Sequence, residues 1–161
     1  MKSSTPERIL AFDVRARRFG FAVFESPDQL LDWGVKSFRH GVNAVKVPAS
    51  QKVASLLSEV RPHAVVMEKS PLHENSWLTG IIVRLARKQS IPVRTVSRAA
   101  ARNLFPTIER NKHGISVSLS NRFPELAERV PPKRKPWQSE DYRMSIFDAT
   151  ALGLTYVESK L

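Results

Sequence analysis

Two carboxylates close apolar runs: Asp13 follows "ILAF" and Glu68 follows "AVVM". A third, Asp148, interrupts the apolar stretch "IFDATALGL" towards the other end of the chain. Carboxylates are the hard donors that magnesium and manganese take. If the two run-ending acids close neighbouring strands, they lie about 5 Å apart, the spacing between strands. Like charges that near repel, and one must take up a proton unless a cation joins them. An acid on the core-facing side of a helix needs a partner or a metal for the same reason. Three carboxylates sharing two divalent ions about 4 Å apart can activate water and stabilise the leaving oxygen in phosphodiester hydrolysis. In that arrangement Asp13 bridges the ions, Glu68 binds one and Asp148 the other. Asp141 precedes Asp148 by seven residues, two helical turns, so one helix would point both to the same side. Acids in a helix's first turn also suit its dipole, which gives Asp141 and the adjacent Glu140 a purely structural explanation.

The charge balance suits a phosphate-bearing substrate. The 161 residues carry 26 Lys and Arg against 15 Asp and Glu, a net charge of +11. Such an excess fits a polyanionic partner, nucleic acid above all. Arg15, Arg17 and Arg18 follow Asp13 directly. A second basic group comprises Arg84, Arg87, Lys88, Arg94, Arg98 and Arg102, and a third is Lys133, Arg134 and Lys135. The third sits in the "KRKPW" loop, where Trp137 can either stack on a base or pack as an ordinary aromatic. The absence of cysteine excludes disulfides and thiolate metal sites. No phosphate-binding glycine loop is present, which disfavours nucleotide-driven phosphoryl transfer. The start "MKSSTPERIL" has no apolar signal core, and no apolar run is long enough to span a bilayer. The expectation is a cytoplasmic protein with no membrane partner.

The acids need a scaffold, and the hydrophobic pattern predicts one. Residues 8–14, 19–24 and 30–38 read as three strands with tight joins, an antiparallel meander. Residues 48–60 read as a helix, with Val53, Leu56, Leu57 and Val60 on one stripe. A fourth strand at 64–67 ends on Glu68, a helix covers 77–88, and 91–96 is a fifth strand. Ser97 can cap a helix through "RAAARNLF". Residues 111–123 can be helical, although Gly114 and the β-branched residues weigh against it. After a Pro-rich basic loop, Ser139 caps a last helix reaching about Ser159, with Ile146, Phe147, Ala149, Leu152 and Tyr156 for its buried side. Strands alternating with helices in this half predict crossovers onto a parallel sheet. No repeat or internal boundary is visible, so residues 1–161 are expected to form one domain.

The pattern "ILAFDVRARRFGFAV", with Gly20 seven positions after the acid, resembles the first motif of the RuvC-type Holliday junction resolvases. These belong to the ribonuclease H-like nuclease superfamily. "AVVMEKS" is similar to their second motif, "FDATALGL" to their C-terminal helix motif, and "KHGISVSLSNRFPEL" to the segment carrying a basic helix before the last acid. The resemblance covers nearly the whole chain. It implies an α/β fold: a five-stranded mixed sheet of order 3-2-1-4-5 flanked by helices. It implies paired cuts in four-way DNA junctions by a homodimer using magnesium or manganese, with two ions. Its catalytic acids fall on Asp13, Glu68 and Asp148, and Lys112 matches a basic residue used on DNA. Two positions depart from the pattern. Arg15 stands where the family usually has glycine, and Ser145 where it usually has a fourth acid or a histidine. Asp141 is the candidate substitute for that fourth acid.

The expected function is therefore a metal-dependent endonuclease acting on branched DNA. Arg15, Arg17, Arg18, Lys112, Lys133, Arg134 and Lys135 are its candidate nucleic-acid contacts. Two other readings are open: a YqgF-like nuclease that processes ribosomal RNA, and a nucleic-acid-binding module without catalysis, which the missing acid at position 145 favours.

Overall fold

A computed structural model of the chain describes residues 7–38, 42–69, 76–106 and 111–160. Its centre is a five-stranded sheet of order β3-β2-β1-β4-β5. The strands are β1 (Ile9–Val14), β2 (Arg18–Ser26), β3 (Gln29–Ser37), β4 (Ala64–Glu68) and β5 (Val93–Val96). The first three form the antiparallel meander, while β4 joins β1, and β5 joins β4, in parallel. The expected strand order and mixed direction are those observed.

Successive side chains of a strand face opposite sides, so a strand covered on both faces must be apolar throughout. In β1, Leu10, Phe12 and Val14 pack on one side. They meet the helices α1 (Val42–Val60) and α2 (Trp77–Lys88). Ile9 and Ala11 pack on the other side, against the C-terminal helix. All six β1 residues are buried, Asp13 included. Asp13 shares the face of Ile9 and Ala11 by alternation, and therefore looks towards the C-terminal helix.

Short helices fill the lower layer: α3 (Arg98–Arg102), α4 (Lys112–Arg122) and a 3-10 turn at Pro124–Arg129. The α4 segment is helical despite Gly114, because the Asn111 side chain accepts a hydrogen bond from the Gly114 amide (2.8 Å) and starts the helix. The last helix, α5 (Met144–Ser159), lies across β2 and β1. It comes unusually close. A β-carbon at Gly20 would fall 2.2 Å from the Ser145 carbonyl oxygen, and one at Gly153 would fall 2.7 Å from the Phe24 ring. Glycine at both positions lets the helix backbone rest on the sheet.

Two helix starts differ from expectation. The first helix begins at Val42 and runs through Pro48, whose fixed φ is helical although its ring forgoes one hydrogen bond. The last begins at Met144, and Ser139 does not cap it. Asp141 intervenes: its Oδ1 accepts a hydrogen bond from the Arg143 amide (2.9 Å), and the Met144 amide donates to the Asp141 carbonyl (3.0 Å). A side chain that bonds the backbone two residues on builds a turn in competition with helix. Asp141 therefore lies outside the helix that carries Asp148, and the two-turn spacing does not align them.

Candidate active site

Asp13 and Glu68 each stand one residue beyond the paired Phe12 and Met67, in step on adjacent parallel strands. Asp13 also pairs with Gly20, and Gly20 seats the start of α5. Asp148, one turn into that helix, is brought in from the open side. The three carboxylates line one pocket of about 130 Å³, together with Arg15, Arg98, Arg102, Asn111 and Lys112. The apolar floor is Ala101, Ile115, Phe147, Ala151 and Leu152.

The chain's own cations pair these acids. Arg15 Nε donates to Asp13 Oδ2 (3.1 Å), and Arg15 Nη2 donates to Asp148 Oδ2 (2.8 Å). Lys112 Nζ donates to the same Asp148 oxygen (3.3 Å) and makes a short hydrogen bond to Glu140. Glu140 also lies 4.0 Å from Arg18, and Arg98 lies 3.9 Å from Glu68. The turn bearing Arg15 is braced at three points. The Arg15 amide donates to the Arg18 carbonyl, the Phe38 amide to the Arg17 carbonyl, and the Trp77 indole to the Ala16 carbonyl (2.8, 2.8 and 3.2 Å).

Asp13 is only 2% exposed. Burial first, and then the charge of Asp148, push its carboxyl up to about 6, against the pull of Arg15 and Lys112. For Arg15, burial works downward, but the carboxylates of Asp13 and Asp148 outweigh it and raise the guanidinium above its ordinary range. Burial works upward on Glu140, yet the hydrogen bond and charge of Lys112, with Arg15 and Arg18, hold it below the usual carboxylate range.

Asp141 is not among the pocket-lining residues; both its carboxylate oxygens accept from Arg143 (3.0 and 2.8 Å), chiefly the reason its carboxyl is held low. Its neighbour Glu140, explained above by the helix dipole, is the acid that approaches the site. The orientation follows from the Asp141 turn, which spacing along a supposed helix cannot reveal. Ser145 is buried and its hydroxyl accepts a hydrogen bond from Arg18 Nε (3.1 Å). Arg98 and Arg102 line the pocket; in the sequence they are two members of the second basic cluster, and their one-turn spacing after the strand beside β4 is the signal that sets them apart. Arg17 and Arg18 line a neighbouring surface groove that Arg15 shares with Phe38 and Tyr142. Lys133, Arg134 and Lys135 are exposed on the loop before α5, with Lys135 Nζ 5.5 Å from the ring centre of Trp137, which is 78% exposed.

The donor set fits a hard divalent cation in kind. Three carboxylates share a pocket, and the buried one has a raised affinity for a proton that an added cation would relieve. The set is not a finished cage: among the described residues, no group of three or more acids or histidines is placed to hold an ion.

No protein-family model and no curated protein sequence matches the chain. Solved structures do. Thermus thermophilus RuvC in complex with a Holliday junction superposes with a TM-score of 0.69 at 14% identity, over 96% of this chain and 95% of that one. The yeast mitochondrial Holliday junction resolvase Ydc2 gives 0.58 at 11% identity, over 94% and 79%. Fowlpox virus resolvase bound to junction DNA gives 0.55 at 20% identity, over 96% and 99%. Identities this low speak to architecture, and the architecture, β3-β2-β1-β4-β5 with helices on both faces, is the ribonuclease H-like fold of the RuvC-type resolvases.

Proposed function

We propose that the chain is an endonuclease that hydrolyses phosphodiester bonds in branched DNA and uses magnesium or manganese. One observation carries the reading: Asp13, Glu68 and Asp148 line a single pocket whose rim is Arg98, Arg102 and Lys112. Acids alone would repel a phosphodiester; acids ringed by cations can accept one. Asp13, Glu68 and Asp148 are the donors that would hold the metal. Two bound ions would supply an activated water and countercharge for the departing 3′ oxygen. The remaining work falls to the chain. Asp13, buried on the central strand, is the fixed point of the donor set. Arg98, Arg102 and Lys112 hold phosphates flanking the scissile one, and Arg17, Arg18, Lys133, Arg134 and Lys135 extend the basic track. The junction DNA bound to two of the resolvases that share the fold supports a four-way junction as substrate, and the motif resemblance implies a homodimer making paired cuts.

The carboxylate–cation pairs favour a second reading, a binding module without catalysis, because Arg15 and Lys112 already neutralise the acids. Parallel assays of the full chain on junction DNA, linear duplex and structured RNA, with magnesium or manganese, separate these. The proposal expects preferential cutting of the junction. Cutting of RNA alone would assign an RNA-processing nuclease, and binding without any cutting would assign the module.

A further inference from the structure

One guanidinium spans Asp13 on the central strand and Asp148 on α5, with distances of 3.1 and 2.8 Å. It takes the bridging position between the carboxylates from opposite sides of the pocket. Lys112 takes a second position, between Asp148 and Glu140. The countercharge that would draw a divalent ion is thus supplied from within. An ion entering beside Arg15 meets both an occupied donor set and a like charge. Arg15 cannot shed its charge by losing a proton, so it must move. It is not entombed: its side chain is 25% exposed and also borders the groove formed with Arg17, Arg18 and Tyr142. In the pocket the guanidinium donates to one oxygen of each of two carboxylates; two oxygens of a tetrahedral phosphate can accept the same pair of hydrogen bonds.

We propose that Arg15 is a cation lock, holding Asp13 and Asp148 in the free protein and passing to a substrate phosphate when nucleic acid binds. The carboxylates are released to the metal only then. Metal and nucleic acid consequently promote each other's binding, because coupling between two ligands is reciprocal. The lock makes Arg15 a positioning residue, not a ligand of the metal. This inference rests on the pocket being a metal site, and the test separates the two claims.

Mn2+ binding to the full chain is measured by equilibrium dialysis, with and without a four-way DNA junction bearing non-hydrolysable linkages. The lock predicts that junction DNA tightens Mn2+ binding to wild type at least tenfold. Arg15→Ala should bind Mn2+ at least tenfold more tightly than wild type without DNA, and should lose most of the coupling. Arg15→Lys retains the charge but offers a single point contact, so it should fall between them; it also covers the case in which Arg15→Ala fails to fold. A merely structural arginine would leave the coupling unchanged. Equal Mn2+ affinity in wild type and both folded variants, or wild-type affinity indifferent to DNA, overturns the lock. Asp148→Asn in the Arg15→Lys background is the control for the site itself. Mn2+ binding undiminished by it places the ion elsewhere and overturns both the lock and the metal-site reading.

Discussion

Asp13 sits on the central strand with a guanidinium at one side and a second carboxylate beyond it. Its folded-state pKa of about 6 lies above the ordinary 3.8, so the folded chain binds that proton more tightly than the unfolded chain does. The sign follows: the destabilisation is full above pH 6 and is relieved as pH falls from 6 towards 3.8. Asp13→Asn is therefore expected to raise the melting temperature by a few degrees at pH 8 without metal. The advantage over wild type should shrink steadily below pH 6, and a melting series across pH checks it. The three acids were legible in the sequence because each interrupts or ends an apolar run. The pairing of Arg15 with Asp148 was not, since its partner lies 133 residues along the chain and only the folded pocket brings them together.

At the scale of elements, the approach of α5 to β2 decides where Asp148 stands. The helix rests on Gly20, where an added methyl would lie 2.2–2.7 Å from Ser145 atoms, two of them backbone. Gly20→Ala is expected to cost about 1–3 kcal/mol, read as a lower midpoint in urea. It should also reduce junction cleavage by displacing Asp148. At the far end of the pocket, Asn111→Ala removes the cap of the helix that carries Lys112, with an expected cost of about 1 kcal/mol. The strands, the meander and the parallel crossovers were legible because continuous apolar runs report burial on both faces of a sheet, whereas the strand order came from the motif resemblance. The start of α5 was not, because Ser139 offers a cap by type while Asp141 makes the turn by geometry. The same local contest misplaced Asp141 and hid Glu140.

Over the whole molecule, the charge of +11 sets the expected salt response. Each phosphate neutralised contributes about 0.9 to the slope of log K against log salt on duplex DNA. If Lys133, Arg134 and Lys135 all touch phosphates, replacing the three by alanine should flatten that slope by roughly 2–3 units. A titration from low to moderate salt reads this directly, and an unchanged slope places the loop off the nucleic acid. Net charge was legible in the sequence, but the division of the basic residues was not. The structure sets Arg98, Arg102 and Lys112 around the acids, and leaves Lys133, Arg134 and Lys135 on an outlying loop.

The most direct test of the central claim is cleavage of a four-way DNA junction by the full chain with magnesium or manganese, wild type against Asp13→Asn. The account predicts cutting by wild type, none detectable with Asp13→Asn, and junction binding by both. Undiminished cutting by Asp13→Asn would contradict it.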